Sequence, residues 1–157
     1  MSKYEELTKL ACKQTNETFA IKEECESFAH HLANGYKAFL SVPDDKFSIV
    51  TLTSDLDVDE VLKGFHRPKL TKANDGFYYF AFAISYSQEG DNAYVNQVIK
   101  IGISREESGF CIRMDDDFQI SEDYRYELDS ICQKIYESDL EYFSALTTKP
   151  RRSIGFL

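Results

Sequence analysis

Histidines and clustered carboxylates are where chemistry would start in this chain, and each group can be tested against the spacing its chemistry needs. His30 and His31 are adjacent. Neighbours on a helix point about 100° apart, whereas two zinc ligands on one helix sit three or four positions apart. His66 is the only other histidine and lies far along the chain, so no metal or cofactor is expected from the histidines. Asp115, Asp116, Asp117 and Glu122 raise calcium, but a helix-loop-helix calcium loop opened at Asp115 needs glycine at its sixth position and glutamate at its twelfth. Those positions are Ile120 and Tyr126. The acids read instead as a solvated turn into a helix, with Ser121 as cap and Glu122 and Asp123 in the first turn, where the helix dipole favours negative charge. Asp44, Asp45 and Lys46 would suit a metal-dependent nuclease only with a further acid two positions before a lysine on a later strand; Val98 stands there before Lys100. Neither a nucleophile elbow nor a phosphate-binding glycine loop is present. Enzymatic activity is not expected.

The chain of 157 residues carries a net charge of −9, with 6 basic against 12 acidic side chains in residues 1–60 and 7 against 12 in residues 105–157. Nucleic-acid binding draws on basic groups that displace phosphate counterions, so this balance argues against it. It suits a basic protein partner, approached by long-range attraction. The opening MSKYEELTKLACK has charges inside its first apolar stretch, which leads to the expectation of a cytoplasmic protein with neither signal peptide nor membrane span. Cys12, Cys25, Cys111 and Cys132 are spread singly, and in a reducing compartment they are expected to be small buried apolar groups.

The elements that would position such residues follow from periodicity. Tyr4, Leu7, Leu10 and Ala11 form one helical stripe, with Asn16 and Thr18 as an interruption or a second cap. A stronger stripe runs through Ile21, Cys25, Phe28, Ala29, Leu32, Tyr36, Phe39 and Leu40, with Gly35 inside it. FSIVTLT from Phe47 is a short strand, and residues 55–63, opening on acids, read as a short helix stopped by Gly64. Residues 65–76, with Pro68, read as a loop. FYYFAFAISYS, Phe77 to Ser87, has no charge; as a strand it puts Tyr78, Phe80, Phe82, Ile84 and Tyr86 on one face. Strands near Ala93–Ser104 and Phe110–Met114 follow after short turns, making an antiparallel meander. Leu128, Ile131, Cys132, Ile135, Tyr142 and Leu146 make the stripe of a last helix, widened by Tyr136, Leu140 and Phe143.

The expectation is a single α+β domain: an antiparallel sheet of about four strands between an N-terminal helical segment and a long C-terminal helix, with residues 147–157 as a candidate flexible tail. In size, charge and helix-sheet mix the chain is similar to small acidic inhibitors, immunity proteins and secretion chaperones, a similarity of class without a shared motif. The leading reading is a non-enzymatic module that binds a basic protein through Asp115, Asp116, Asp117, Glu122, Asp123, Tyr124 and Tyr126, tyrosine being favoured at interfaces. A homodimer is a further candidate. The alternative is a small-molecule-binding domain or enzyme with a pocket between the aromatic sheet face and a helix.

Overall fold

A computed structural model of the chain describes residues 2–63, 66–87, 94–106, 109–114, 117–119, 124–144 and 155–156. It opens with one long helix, α1, Lys3–Leu40. The Ser2 hydroxyl accepts from the Glu5 backbone N–H at 3.1 Å, Glu5 and Glu6 occupy the first turn, and Ser41 closes the far end with φ 57°. The interruption expected near Asn16 does not occur. At exposed positions Asn and Thr cost only a few tenths of a kcal/mol, too little to break a helix anchored at one end. Gly35 stays inside α1 because the second helix comes close: a Cβ there would lie 3.0 Å from a Leu128 methyl.

The sheet comprises β1 (Phe47–Leu52), β2 (Val58–Leu62), β3 (Thr71–Lys72), β4 (Tyr78–Ser87), β5 (Tyr94–Glu106), β6 (Gly109–Arg113), β7 (Asp117–Gln119) and β8 (Gly155–Phe156). The order is β2-β1-β4-β5-β6-β7, with β3 beside β4 and β8 beside β5, all antiparallel. The α+β class and the β4-β5-β6 meander are as expected, and the sheet is wider than four strands. Residues 65–76 are not wholly loop, since Thr71 and Lys72 pair with Tyr79 and Tyr78. Of residues 147–157, Gly155 and Phe156 pair with β5 and the others lie outside the described residues.

The short helix expected at 55–63 is the strand β2. Its Leu62, Val61 and Val58 align with Ile49, Val50 and Leu52, and the turn is closed by Thr53, whose backbone N–H donates to the Asp57 carbonyl at 2.8 Å. Nine residues cannot sustain a helix alone, and a neighbouring strand supplies the backbone partners that decide the outcome. Of the acids read as a helix start, Asp55 and Asp57 lie in the turn, and Asp59 and Glu60 sit on this outer strand, where charge discourages further pairing.

One sheet face is covered by the second half of α1 and by α2 (Tyr124–Ser144). Cys25, Phe28, Ala29, Leu32, Ala33 and Tyr36 meet Phe80, Phe82, Ile84, Ile99, Ile101, Ile103 and Ile112 together with Ile131, Cys132 and Ile135. Phe28 stacks on Phe110 with ring centroids 4.4 Å apart. Val50, Leu52, Ala81, Ala83 and Val98 form a smaller cluster on the opposite face. Leu140, expected to widen the α2 stripe, is instead 49% exposed, and Leu146 lies outside the described residues.

The cysteines divide, which corrects the expectation that all four are buried. Cys25 and Cys132 are buried, Cys111 is half-buried and Cys12 is exposed on the first half of α1. Burial pushes the Cys25 and Cys132 thiols up to about 11. Since the thiolate is the reactive form, a native-state titration with a thiol reagent should modify Cys12 promptly and leave Cys25 and Cys132 until the chain unfolds. Peptide mapping of the labelled protein reads this directly; early labelling at Cys25 would contradict the packing of α1.

Candidate functional site

The expected acidic site is only partly described. Asp117 opens β7, with its Cα opposite Arg113, and Tyr124 and Tyr126 lie in the first turn of α2. Asp115, Asp116, Glu122 and Asp123 lie outside the described residues. Farther along α2, Asp129, Glu137 and Glu141 are exposed, but Asp139 points the other way and is 4% exposed.

At its centre the aromatic face is packed. Phe80 and Phe82 are fully buried, and Phe82 packs between the rings of Tyr36 and Phe47 at 5.9 and 5.4 Å. The polar group in this region is Asp139, and its neighbours satisfy it. The Tyr36 hydroxyl donates to one of its oxygens and the Gln97 amide donates to the other at 3.1 Å. The Tyr86 hydroxyl in turn donates to the Gln97 side-chain carbonyl at 2.9 Å. Burial raises the Asp139 carboxyl from 3.8 to about 6, against the lowering effect of the Tyr36 and Gln97 hydrogen bonds. This network ties α1, β4, β5 and α2 together.

An open cavity of about 280 Å³ lies at the edge of the same face, between α1, the 3-10 turn at Asp44–Lys46, β1 and the segment around Pro68. Here the fold brings together His30 and His66, which sequence distance had separated, with Asn34, Lys37 and Asp44 beside them. The Asn34 amide donates to the His30 carbonyl at 3.0 Å, and the His66 ring donates to the Lys63 carbonyl at 2.7 Å. Burial holds His30 below its ordinary value, assisted by the positive charges of Arg67 and His31. Lys37 pairs with Asp44, lowering the Asp44 carboxyl. Among the described residues no group of three or more His, Cys, Asp or Glu side chains is placed to hold a metal ion.

The largest feature is the first half of α1. Every residue from Ser2 to Glu24 is exposed, a stretch about 33 Å long at ~1.5 Å per residue; its last turns flank an open groove, where Thr18 and Ile21 face Lys72, Tyr78, Ser104 and Arg105 at the end of the sheet, and the earlier turns form an arm. Its apolar side chains have no cover: Tyr4 is 78%, Leu7 68%, Leu10 63%, Phe19 62% and Ile21 41% exposed. No family model, curated protein or solved structure matches the chain. Among the described residues no helix is long and apolar enough to cross a membrane. At the arm's root the Arg105 guanidinium donates to Glu24 at 2.7 Å and lies over the Phe110 ring, its carbon 5.4 Å from the ring centre. The arm is thus fixed at one end to the sheet. The stripe through Tyr4, Leu7, Leu10 and Ala11 was legible in the sequence; that it would lie outside the core was not.

Proposed function

We propose that the chain is a non-enzymatic protein-binding module whose contact surface is the projecting half of α1. The observation that carries this reading is the uncovered apolar stripe. Leaving large apolar side chains in water forgoes roughly 25 cal/mol for each Å² that could be buried, and most helical stability in proteins comes from packing an apolar face, which this half of α1 lacks. An exposed apolar face of this kind is the ordinary mark of a docking site. In this reading the chain's net charge of −9 adds long-range attraction to a basic partner, while the arm supplies the affinity.

Photo-crosslinking in the native cell tests the arm. A photoreactive side chain at position 7, on the stripe, should give a protein adduct that is lost when Ile21→Glu is added; the same group at position 9, on the wet face, should not. Equal adducts from both positions would sink the reading. The cavity beside His30 and His66 supports a second one, a small-molecule site. At about 280 Å³ it falls just under the roughly 300–1,000 Å³ usual for ligand pockets, and its Lys37 is already paired with Asp44, which ranks this reading below the first.

A further inference from the structure

The stripe on α1 has one register from end to end. Tyr4, Leu7, Ala11, Gln14, Thr18, Ile21, Cys25, Phe28, Leu32 and Gly35 alternate steps of three and four, the spacing of a helix that packs along one seam. The protein's own fold covers the later positions: Cys25, Phe28 and Leu32 are buried in the core and Gly35 lies against Leu128. The first six positions, Tyr4 to Ile21, are exposed.

We propose that these six positions are covered by a second copy of this chain, whose α1 runs antiparallel to the first about a twofold axis passing between Cys12 and Lys13. This names the partner of the arm and rests on the protein-binding reading above; attraction to a basic partner has no part in it, since the second copy carries the same net charge of −9. Four observations lead here. Parallel pairing is blocked, because the partner helix would have to continue beside Cys25, Phe28 and Leu32, where the sheet and α2 already stand. In the antiparallel arrangement each domain lies beyond the far end of the other's arm, with the two Cys25 backbones about 38 Å apart at ~1.5 Å rise per residue.

The register is also determined. Centred between Cys12 and Lys13, Tyr4 faces Ile21 of the second copy, Leu7 faces its Thr18, and Ala11 faces its Gln14. A slip of one heptad in one direction leaves Thr18 and Ile21 bare, and in the other sets Leu7 against Cys25, which is covered already. The two Gln14 amides approach each other across the axis, and a polar pair in a seam is a known register device.

Charge agrees with this arrangement. Lys3 flanks Glu24 of the second copy, twice by symmetry. The arm from Lys3 to Glu24 carries four lysines against five glutamates, so it does not repel its twin strongly. The excess negative charge of each chain sits in the domains, which are held farther apart than the Debye length of about 8 Å at physiological salt. Phe19 lies to the side of the seam and is not covered by it. A strip about 33 Å long and roughly 10 Å wide is small for a protein interface, so a reversible dimer is expected rather than a permanent one.

The test uses the purified full chain. Sedimentation equilibrium from about 1 to 500 µM should show concentration-dependent dimer, and Leu7→Glu should weaken it at least tenfold with the helical circular dichroism signal of the domain retained. Orientation is read by disulfide trapping in a Cys12→Ser background. A mixture of Leu7→Cys and Thr18→Cys chains should form a mixed covalent dimer, whereas neither alone should, because the two copies of position 7 lie about 17 Å apart along the axis. A chain that stays monomeric across the range overturns the proposal, and so does efficient self-trapping of Leu7→Cys, the mark of a parallel pair. If the chain is monomeric while position 7 still crosslinks to another protein in cells, the protein-binding reading survives and the second copy is the wrong occupant. If both fail, both ideas fall.

Discussion

Phe82→Ala is expected to lower the unfolding free energy by about 3–5 kcal/mol, the range for truncating a fully buried aromatic side chain. Phe82 is fully buried in the middle of β4, with Ile49 of β1 and Ile99 of β5 as its direct cross-strand neighbours. Its ring contacts Phe80, Phe47 and Tyr36 at 6.2, 5.4 and 5.9 Å. These partners belong to three strands and a helix, so they cannot collapse together into the space left behind, and the cavity cost adds to the lost burial. Chemical denaturation monitored by circular dichroism measures the change. Leu10→Ala provides the contrast: its side chain is 63% exposed, so in the dilute chain it should change stability by no more than about 0.5 kcal/mol. A thermal midpoint that moves only a degree or two in Phe82→Ala would contradict the packing of this face.

The second large effect is a pH dependence that depends on Asp139. Burial holds this carboxyl at about 6 in the folded chain against an ordinary 3.8. Well below pH 3.8 the group is neutral in both states and its full contribution to stability is present. As pH rises from 3.8 towards 6 the unfolded chain gives up the proton while the folded chain keeps it, so unfolding becomes progressively easier. Above about pH 6 both states are ionised and the loss levels off. Two pH units correspond to about 2–3 kcal/mol.

Asp139→Asn isolates this group from the other carboxylates. The amide has the shape of the neutral acid: its oxygen can accept from Gln97, and the Tyr36 hydroxyl can turn to accept from its N–H. Unfolding free energies measured by denaturant from pH 3.5 to 7.5 should therefore show the native protein losing about 2–3 kcal/mol relative to Asp139→Asn across that window. Two parallel curves would mean that Asp139 reaches water and that the network with Tyr36, Gln97 and Tyr86 is not closed.

Asp139 also shows why the candidate site was only partly legible. In the sequence it is one of ten acids between Asp115 and Glu141, and although it falls on the apolar stripe, four after Ile135 and three before Tyr142, that spacing alone does not separate a buried carboxylate from one at the stripe's wet edge. What separates it is the pairing of α2 with Tyr36 and Gln97, residues 103 and 42 positions away. His30 and His66 are a second instance, brought to one cavity by a chain reversal that neither histidine encodes.

Side-chain period within one element is a local property, and on it the sequence alone was decisive: the two amphipathic helices, the one-sided apolar face of β4, the β4-β5-β6 meander and the α+β class all follow from spacings of two or of three and four. Residues 55–63 went the other way, because nine residues have too few internal hydrogen bonds to choose a state and the open edge of β1 chose for them. The arm was beyond local reasoning for a different reason. Tyr4, Leu7 and Ile21 carry the same stripe as Cys25, Phe28 and Leu32, so no pattern within α1 distinguishes a covered turn from a bare one. That distinction depends on how far the sheet extends beneath the helix. The longest strand, 13 residues at about 3.3 Å each, is shorter than α1, 38 residues at about 1.5 Å each, and only the packed tertiary structure shows that the stripe continues past the described side chains that cover it.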